Sequence, residues 1–122
     1  MKQSRNISGL PYKAINKLLN LNLEHDVVHL SGSVIVHVKR KHPEYKYAIG
    51  KIDEVIKSPD FIGQSPDHII NFEVIKKFKK NYVLVAISSR KDRRGDYPVM
   101  SAYVIYENTI QKRLRTSQIV EV

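Results

Sequence analysis

The chain has no cysteine and no tryptophan, and its 122 residues include only five glycines, five prolines and two methionines. Without cysteine there is no disulfide framework, no thiolate set for a structural zinc and no thiol nucleophile. That suits a reducing compartment, so a cytoplasmic location is expected. Long hydrophobic runs are also missing: no stretch approaches the ~20 apolar residues that a membrane helix needs. Met1 to Asn6 leads into no apolar segment of a secretory signal. No membrane partner is expected. The five glycines form no phosphate-cradling loop, no dinucleotide fingerprint and no G-x-S-x-G elbow. No cofactor is expected.

Acidic residues are scarce as well. Twelve Asp and Glu stand against 21 Lys and Arg, a formal net charge of +9. Such an excess speaks of partners and not of fold, because it creates a field that attracts polyanions. Nucleic acid is the partner this charge selects first, and solvation of a merely basic surface is the plainer alternative. At 122 residues one domain can bury about two-thirds of its unfolded surface, so a single domain over residues 1–122 is expected.

Along the chain, Pro11 can open a helix whose Ala14, Ile15, Leu18 and Leu19 share one face. Residues 1–26 therefore read as an N-terminal helix and link. Val27, Val28 and Leu30 make a brief apolar run, an edge strand or extended link, ended by Ser31-Gly32-Ser33. Ser33 is expected to cap a helix from Val34 to His42, which Pro43 stops. A second helix is expected from about Glu44 to Ile56 or Lys57, with Ile49, Ile52 and Ile56 inward. Residues 27–60 form this helical part. From Phe61 the period changes to two: Ile70, Phe72 and Val74 oppose Asn71, Glu73 and Ile75. Tyr82 to Ile87 has the β-branched character of a central strand, Arg90 to Asp96 is a loop, and Val99 to Tyr106 alternates again. Residues 61–108 therefore read as antiparallel sheet, and the tail 109–122 fits strand and helix equally. Helices first and strands after give an α+β fold, with N-terminal helices packed on one face of a three- to four-stranded antiparallel sheet.

The constellation richest in chemistry is His37-Val38-Lys39-Arg40-Lys41-His42-Pro43. At about 100° per residue, Val34, Val38, Lys41 and His42 fall in one helical arc with His37 at its edge. Both imidazoles can then face the sheet, with the Lys41 ammonium between them. Cleavage of RNA without a metal needs a base for the 2′-hydroxyl, an acid for the leaving 5′ oxygen, and cations for the phosphorane. Two histidines and a lysine meet those needs, since imidazole titrates near neutral pH. The spacing leaves open which histidine is base and which is acid. It also leaves a plainer reading, with His42 hydrogen-bonded in the core and His37 on the surface.

This pattern resembles the phage-associated branch of the barnase, EndoU, colicin-nuclease and RelE-like (BECR-like) fold, whose members are metal-independent ribonucleases. The resemblance is carried by Val28-His29-Leu30-Ser31, Val34-Ile35-Val36-His37, Lys41-His42-Pro43, Val55-Ile56-Lys57-Ser58-Pro59-Asp60-Phe61-Ile62 and Met100-Ser101-Ala102-Tyr103. It implies an active site of His37, Lys41 and His42, joined by the hydroxyl residue Ser101 of the last strand, with Tyr103 on the same side. Many relatives have threonine at the Ser101 position. The wider fold often has a basic residue on a central strand, and Tyr82 to Ile87 carries none. The implied activity is endoribonucleolytic and toxin-like or phage-borne, leaving a 2′,3′-cyclic phosphate. RNA, with tRNA among the candidates, is the implied substrate, and an acidic immunity or antitoxin protein is an implied partner.

The remaining cations surround this centre in the sequence. Lys39, Arg40, Lys76, Lys77, Arg90, Arg93 and Arg94 are expected to hold the RNA backbone. Lys79, Lys80, Lys91 and the Lys112-Arg113-Arg115 cluster could extend that rim, with Tyr45, Tyr47, Tyr97 and Tyr106 available for base stacking. His25 and His29 stand four apart but in an extended stretch with no H-E-x-x-H pattern, so no metal site is expected. The rival from another class is a non-catalytic RNA- or DNA-binding module using the same basic rim.

Overall fold

A computed structural model of the chain describes residues 4–65 and 67–122. In chain order the elements are β1 (Arg5–Ile7), α1 (Tyr12–Leu19), β2 (Val28–Leu30), α2 (Gly32–Lys41), α3 (Tyr45–Lys57) and β3 (Phe61–Gln64). They continue with β4 (Asn71–Lys77), β5 (Tyr82–Ser88), β6 (Tyr97–Ile105), α4 (Glu107–Arg115) and β7 (Ile119–Glu121). The strands form one seven-stranded sheet in the order β1-β2-β6-β5-β4-β3-β7. All its pairs are antiparallel except β2 with β6, which run parallel from Val28 beside Tyr97. Among the described residues no helix is long and apolar enough to cross a membrane.

The fold is α+β, but its sheet is mixed and larger than the three or four antiparallel strands expected. β1, β2 and β7 have three residues each, too few to display a period of two. Val28, His29 and Leu30 are all buried, because β2 lies between β1 and β6 rather than at an edge. The tail is both helix and strand: α4 occupies its first half, and β7 pairs with β3 through Gly63 and Ile119.

Two layers of side chains explain the packing. On one face Phe72, Val74, Val83, Val85, Val99 and Ala102 meet Ala48, Ile52, Val55 and Ile56 of α3 and Ile15 of α1 in a single buried cluster. Those α3 positions repeat at the spacing of one helical face, so the helix seats a continuous apolar stripe on the sheet. On the other face Ile75, Leu84 and Ile105 pack with Ile110 and Leu114 of α4. The N-terminal helices α1 and α3 thus share one face of the sheet, and α4, from the tail whose pattern fits strand and helix alike, covers part of the other. α4 is fastened by Tyr82, whose hydroxyl donates to Glu107 Oε1 at 2.5 Å.

Gly63 is fixed by close approach. A Cβ there would stand 2.2 Å from the Gln118 carbonyl oxygen and 2.8 Å from Ile119 Cγ2. Gly63→Ala should therefore push β7 from the sheet and cost about 1–3 kcal/mol, the range for overpacking. Urea unfolding of the variant beside the parent protein measures it.

Candidate active site

The cleft-forming face of the sheet is set by alternation. Asn71, Glu73 and Ile75 of β4 point the same way, as do Ala86 and Leu84 of β5 and Ser101, Tyr103 and Ile105 of β6. Glu73, Ala86 and Ser101 lie abreast on three neighbouring strands, so the small Ala86 side chain leaves a dip between two polar walls. α4 covers the Ile75–Leu84–Ile105 half of this face, and the Asn71–Ala86–Ser101 half stays open. A register shift at Ala86/Ile87 leaves Met100 opposite no partner. Such a bulge kinks the strand and re-aims its side chains, and Met100 and Ser101 both line the cleft. The resulting cleft of about 570 Å³ is lined by His37 of α2, Ser101 and Tyr103 of β6, Glu73 of β4 and Arg113 of α4, among others. Its volume suits a nucleotide-sized ligand.

Helix α2 delivers the histidines. Its cap is Ser31 and not Ser33: Ser31 is extended, and its Oγ accepts from Val34 N–H at 3.2 Å. The helix thereby begins at Gly32, and Ser33 is freed to line the cleft. Val38 is buried, fixing the helix rotation so that exposed His37 reaches the cleft rim. His42 is the C-terminal cap, with extended backbone at φ −130°, so the helical arc does not govern it. Its ring stacks on Tyr103 with centroids 4.8 Å apart and planes 19° from parallel. Burial, helped by the neighbouring His37 and Lys41 charges, holds the His42 imidazole below its ordinary pKa of 6.5. It is thus a neutral ring at neutral pH.

Opposite His37 lies a buried ion pair. Arg113 Nη1 meets Glu73 Oε1 at 2.6 Å, with side-chain exposures of 15% and 5%. Burial nonetheless pushes the Glu73 carboxyl above its ordinary pKa, because desolvation outweighs the attraction of Arg113. The Arg113 guanidinium lies close enough to Tyr103 to pull against the rise of its pKa. Burial is the largest cause raising the Tyr103 pKa, with the Glu73 charge adding to it, so the phenol stays a proton donor. Asn71 is 7% exposed, and its Oδ1 has no hydrogen-bond partner among the described residues. An orphaned buried acceptor costs about 1–3 kcal/mol.

Of the residues expected from the sequence, His37, Ser101 and Tyr103 line one cleft, and His42 joins them by stacking on Tyr103. Lys41 is exposed at the end of α2, close enough to His42 to bias its protonation. The outer cations are dispersed. Lys39 lies over the Tyr45 ring at 5.9 Å, and Arg40 is exposed on the same helix. Arg90 follows β5 at the Asn71 end, on the side of the cleft. Lys76 and Lys77 sit at the opposite end of β4, with Lys77 about 13 Å along the strand from Glu73. Lys76 Nζ donates to the Ser58 carbonyl there at 2.9 Å. Arg93 is exposed in the β5–β6 loop, and Arg94 of that loop is tied to His29 Nε2 at 2.6 Å.

Tyr97 is buried with its hydroxyl accepting from Glu24 N–H, which removes it from the base-stacking set. His25 bonds Gly95 O and Val27 N, and His29 bonds Asn6 and Arg94. Both imidazoles spend both nitrogens on structure.

Glu73 and Asn71 are site residues beyond those expected, and Arg113, expected only as part of an outer phosphate rim, lines the cleft itself. The polar side of an otherwise apolar β4 was a usable signal for the first two. For Arg113 the signal was its basic cluster alone, and its direction into the cleft depends on the tail forming α4.

Residues 5–112 match the family described as phage-Barnase-EndoU-ColicinE5/D-RelE like nuclease3. No curated protein and no solved structure matches the sequence.

Proposed function

Since the chain belongs to the phage-Barnase-EndoU-ColicinE5/D-RelE like nuclease family, we propose that it is a metal-independent endoribonuclease acting by attack of the 2′-hydroxyl. The observation that carries this reading is the shared cleft of His37, Ser101 and Tyr103, with His42 stacked on Tyr103. His42, held neutral, takes the proton from the 2′-hydroxyl. The 2′ oxygen bonds to phosphorus, the bond from phosphorus to the 5′ oxygen breaks, and His37 gives its proton to that leaving oxygen. The products are a 2′,3′-cyclic phosphate and a 5′-hydroxyl. Ser101 and Tyr103 donate hydrogen bonds to the non-bridging oxygens, and Lys41 offsets the charge that develops there. Arg40 and Arg90 hold flanking phosphates. The same reading includes a cytoplasmic, toxin-like or phage-borne role, tRNA among the substrates, and an acidic inhibitor protein that protects the host.

Purified protein incubated with total RNA in EDTA should give fragments ending in 2′,3′-cyclic phosphate and 5′-hydroxyl. A single 2′-deoxy substitution at a mapped cut should block that cut alone. Intact RNA retained on the protein in a salt-sensitive way would replace the enzyme with a binding module. Fragments that require added metal would remove the proposed chemistry.

A further inference from the structure

The basic charge is unevenly placed. Residues 39–51 carry five Lys and Arg against one acid, and residues 76–81 carry four and no acid, so two short segments hold a net charge close to the +9 of the whole chain. The fold brings them to one end of the sheet. The first runs from the last turn of α2 into α3, and the second closes the β4–β5 hairpin, where Phe78 N–H donates to the Asn81 carbonyl at 2.8 Å. The Tyr47 ring of α3 meets Phe78 edge-on with centroids 6.1 Å apart, and Lys51 Nζ lies over both rings at 5.5 and 5.0 Å.

Exposed aromatic rings stand among these cations. Tyr47 keeps 39% of its surface in solvent and Tyr106 keeps 48%. The Tyr106 hydroxyl lies 2.7 Å from both Glu44 carboxylate oxygens, so the exposed ring is fixed by its far end. The nearby carboxylates are engaged, Glu44 by Tyr106 and Glu107 by Tyr82 and Gln111, whereas Lys79 and Lys80 are exposed. Fixed rings between ammonium groups match unpaired nucleotides, whose bases stack and whose phosphates take the cations. A duplex would meet the ammonium groups but hide its base faces.

This surface is continuous with the cleft. Tyr106 stands three residues, about 10 Å of strand, beyond Tyr103, the ring on which His42 stacks. Tyr82 pairs with Ile105, which sets the hairpin beside it. Tyr103 faces the cleft and Tyr106 the start of α3, so a strand leaving His42 turns round the end of β6 onto the rings. Resting on the nuclease reading for the source of that strand, we propose that this end of the sheet is an exosite for single-stranded RNA on one side of the cut. Tyr106 and Tyr47 stack on unpaired bases, and Lys79 and Lys80 hold the phosphates between them.

The test takes a short RNA that the parent protein cuts and extends it by about ten uridines, within the span of known single-strand sites, on its 5′ or its 3′ side. One of the two extensions should lower KM by ~10-fold or more with kcat unchanged, as stacking on one or two rings provides. Lys79→Ala with Lys80→Ala, or Tyr106→Leu, should erase that gain while the short RNA is cut as by the parent; Tyr106→Phe, which keeps the ring, should retain it. In direct binding to the uridine oligomer, the double lysine variant should flatten the slope of log Kd against log salt by about 1.4, at ~0.7 per phosphate on a single strand. Tyr106→Leu should weaken that binding by ~5-fold or more with the slope unchanged. Unaltered KM and salt slope in the variants, an equal loss on short and extended RNA, or a duplex bound as tightly as the single strand overturns the exosite. If no RNA is cut, the binding arm decides alone: a flattened slope in the double variant keeps the surface and discards the nuclease, and an unaltered one discards both.

Discussion

Replacing His37 by alanine should lower RNA cleavage by about 10²- to 10⁴-fold, the usual worth of a positioned proton donor or acceptor. Fold and RNA affinity should stay near those of the parent protein. His37 is exposed, and the core contact of its helix is made by Val38 next to it, so no buried packing is lost. His42→Ala should show a similar kinetic loss and also release the Tyr103 ring from its stacking partner. The pH profile separates the two roles. The His42 pKa lies below its ordinary 6.5 because of burial first, then the His37 and Lys41 charges. If His42 is the base, the acidic limb of kcat/KM falls below pH 6.5, since the ring must lose its proton to act. Lys41→Met removes a nearby positive charge, so that limb should move upward in pH. Rate measurements from pH 4.5 to 8 on the parent and Lys41→Met check this; a limb unmoved by Lys41→Met takes the base role from His42.

The two histidines were legible in the sequence because their chemistry is local: a cationic run ending at a proline needs only a helix and a stop. Even so, the geometry that unites them differs from a helical arc. His37 obeys the helix, whereas His42 has left it and reaches Tyr103 through an extended backbone. Period-two alternation puts Ser101 and Tyr103 on one strand face, and both lie beyond the bulge at Met100, which turns Val99 to the opposite face. α3 and β5 are equally readable, since Tyr45–Lys57 carries a helical period and Tyr82–Ser88 an unbroken run of strand-forming residues. β1, β2 and β7 are not, because three residues hold too little periodicity and their pairing is decided by distant partners. The same non-locality hid the opposite wall of the cleft. Glu73 was visible as a polar residue on β4, but its partner Arg113 stands 40 residues on, in a tail whose local pattern suits strand and helix alike.

That partnership carries the largest expected change in stability. Arg113→Ala should destabilise the fold by about 3–5 kcal/mol, because it leaves a buried carboxylate without its compensating charge. The sign of the pH dependence identifies the cause. The Glu73 carboxyl is already raised above its ordinary value, burial being the dominant reason. The folded state therefore holds that proton more tightly than the unfolded chain. Its contribution is fully present below the unfolded carboxylate pKa and is lost as pH rises through the folded one. Removing Arg113 takes away the opposing attraction, lifts the folded pKa further and extends that loss to higher pH. Arg113→Ala should thus be mildly affected near pH 4 and most damaged near pH 8, in urea unfolding at both values. The double variant Glu73→Gln, Arg113→Ala should lose this pH dependence and recover part of the stability, since a neutral amide tolerates the site better than a lone carboxylate. A double variant as unstable and as pH-sensitive as Arg113→Ala alone would show that the damage comes from lost α4 packing. The same guanidinium also acts on the Tyr103 phenol in the cleft. Arg113→Lys retains a charge but not the planar fork that can meet Glu73 and Tyr103 together, so it should preserve most of the stability while slowing cleavage. α4 thereby ties the strength of the fold to the placement of a hydroxyl in the cleft.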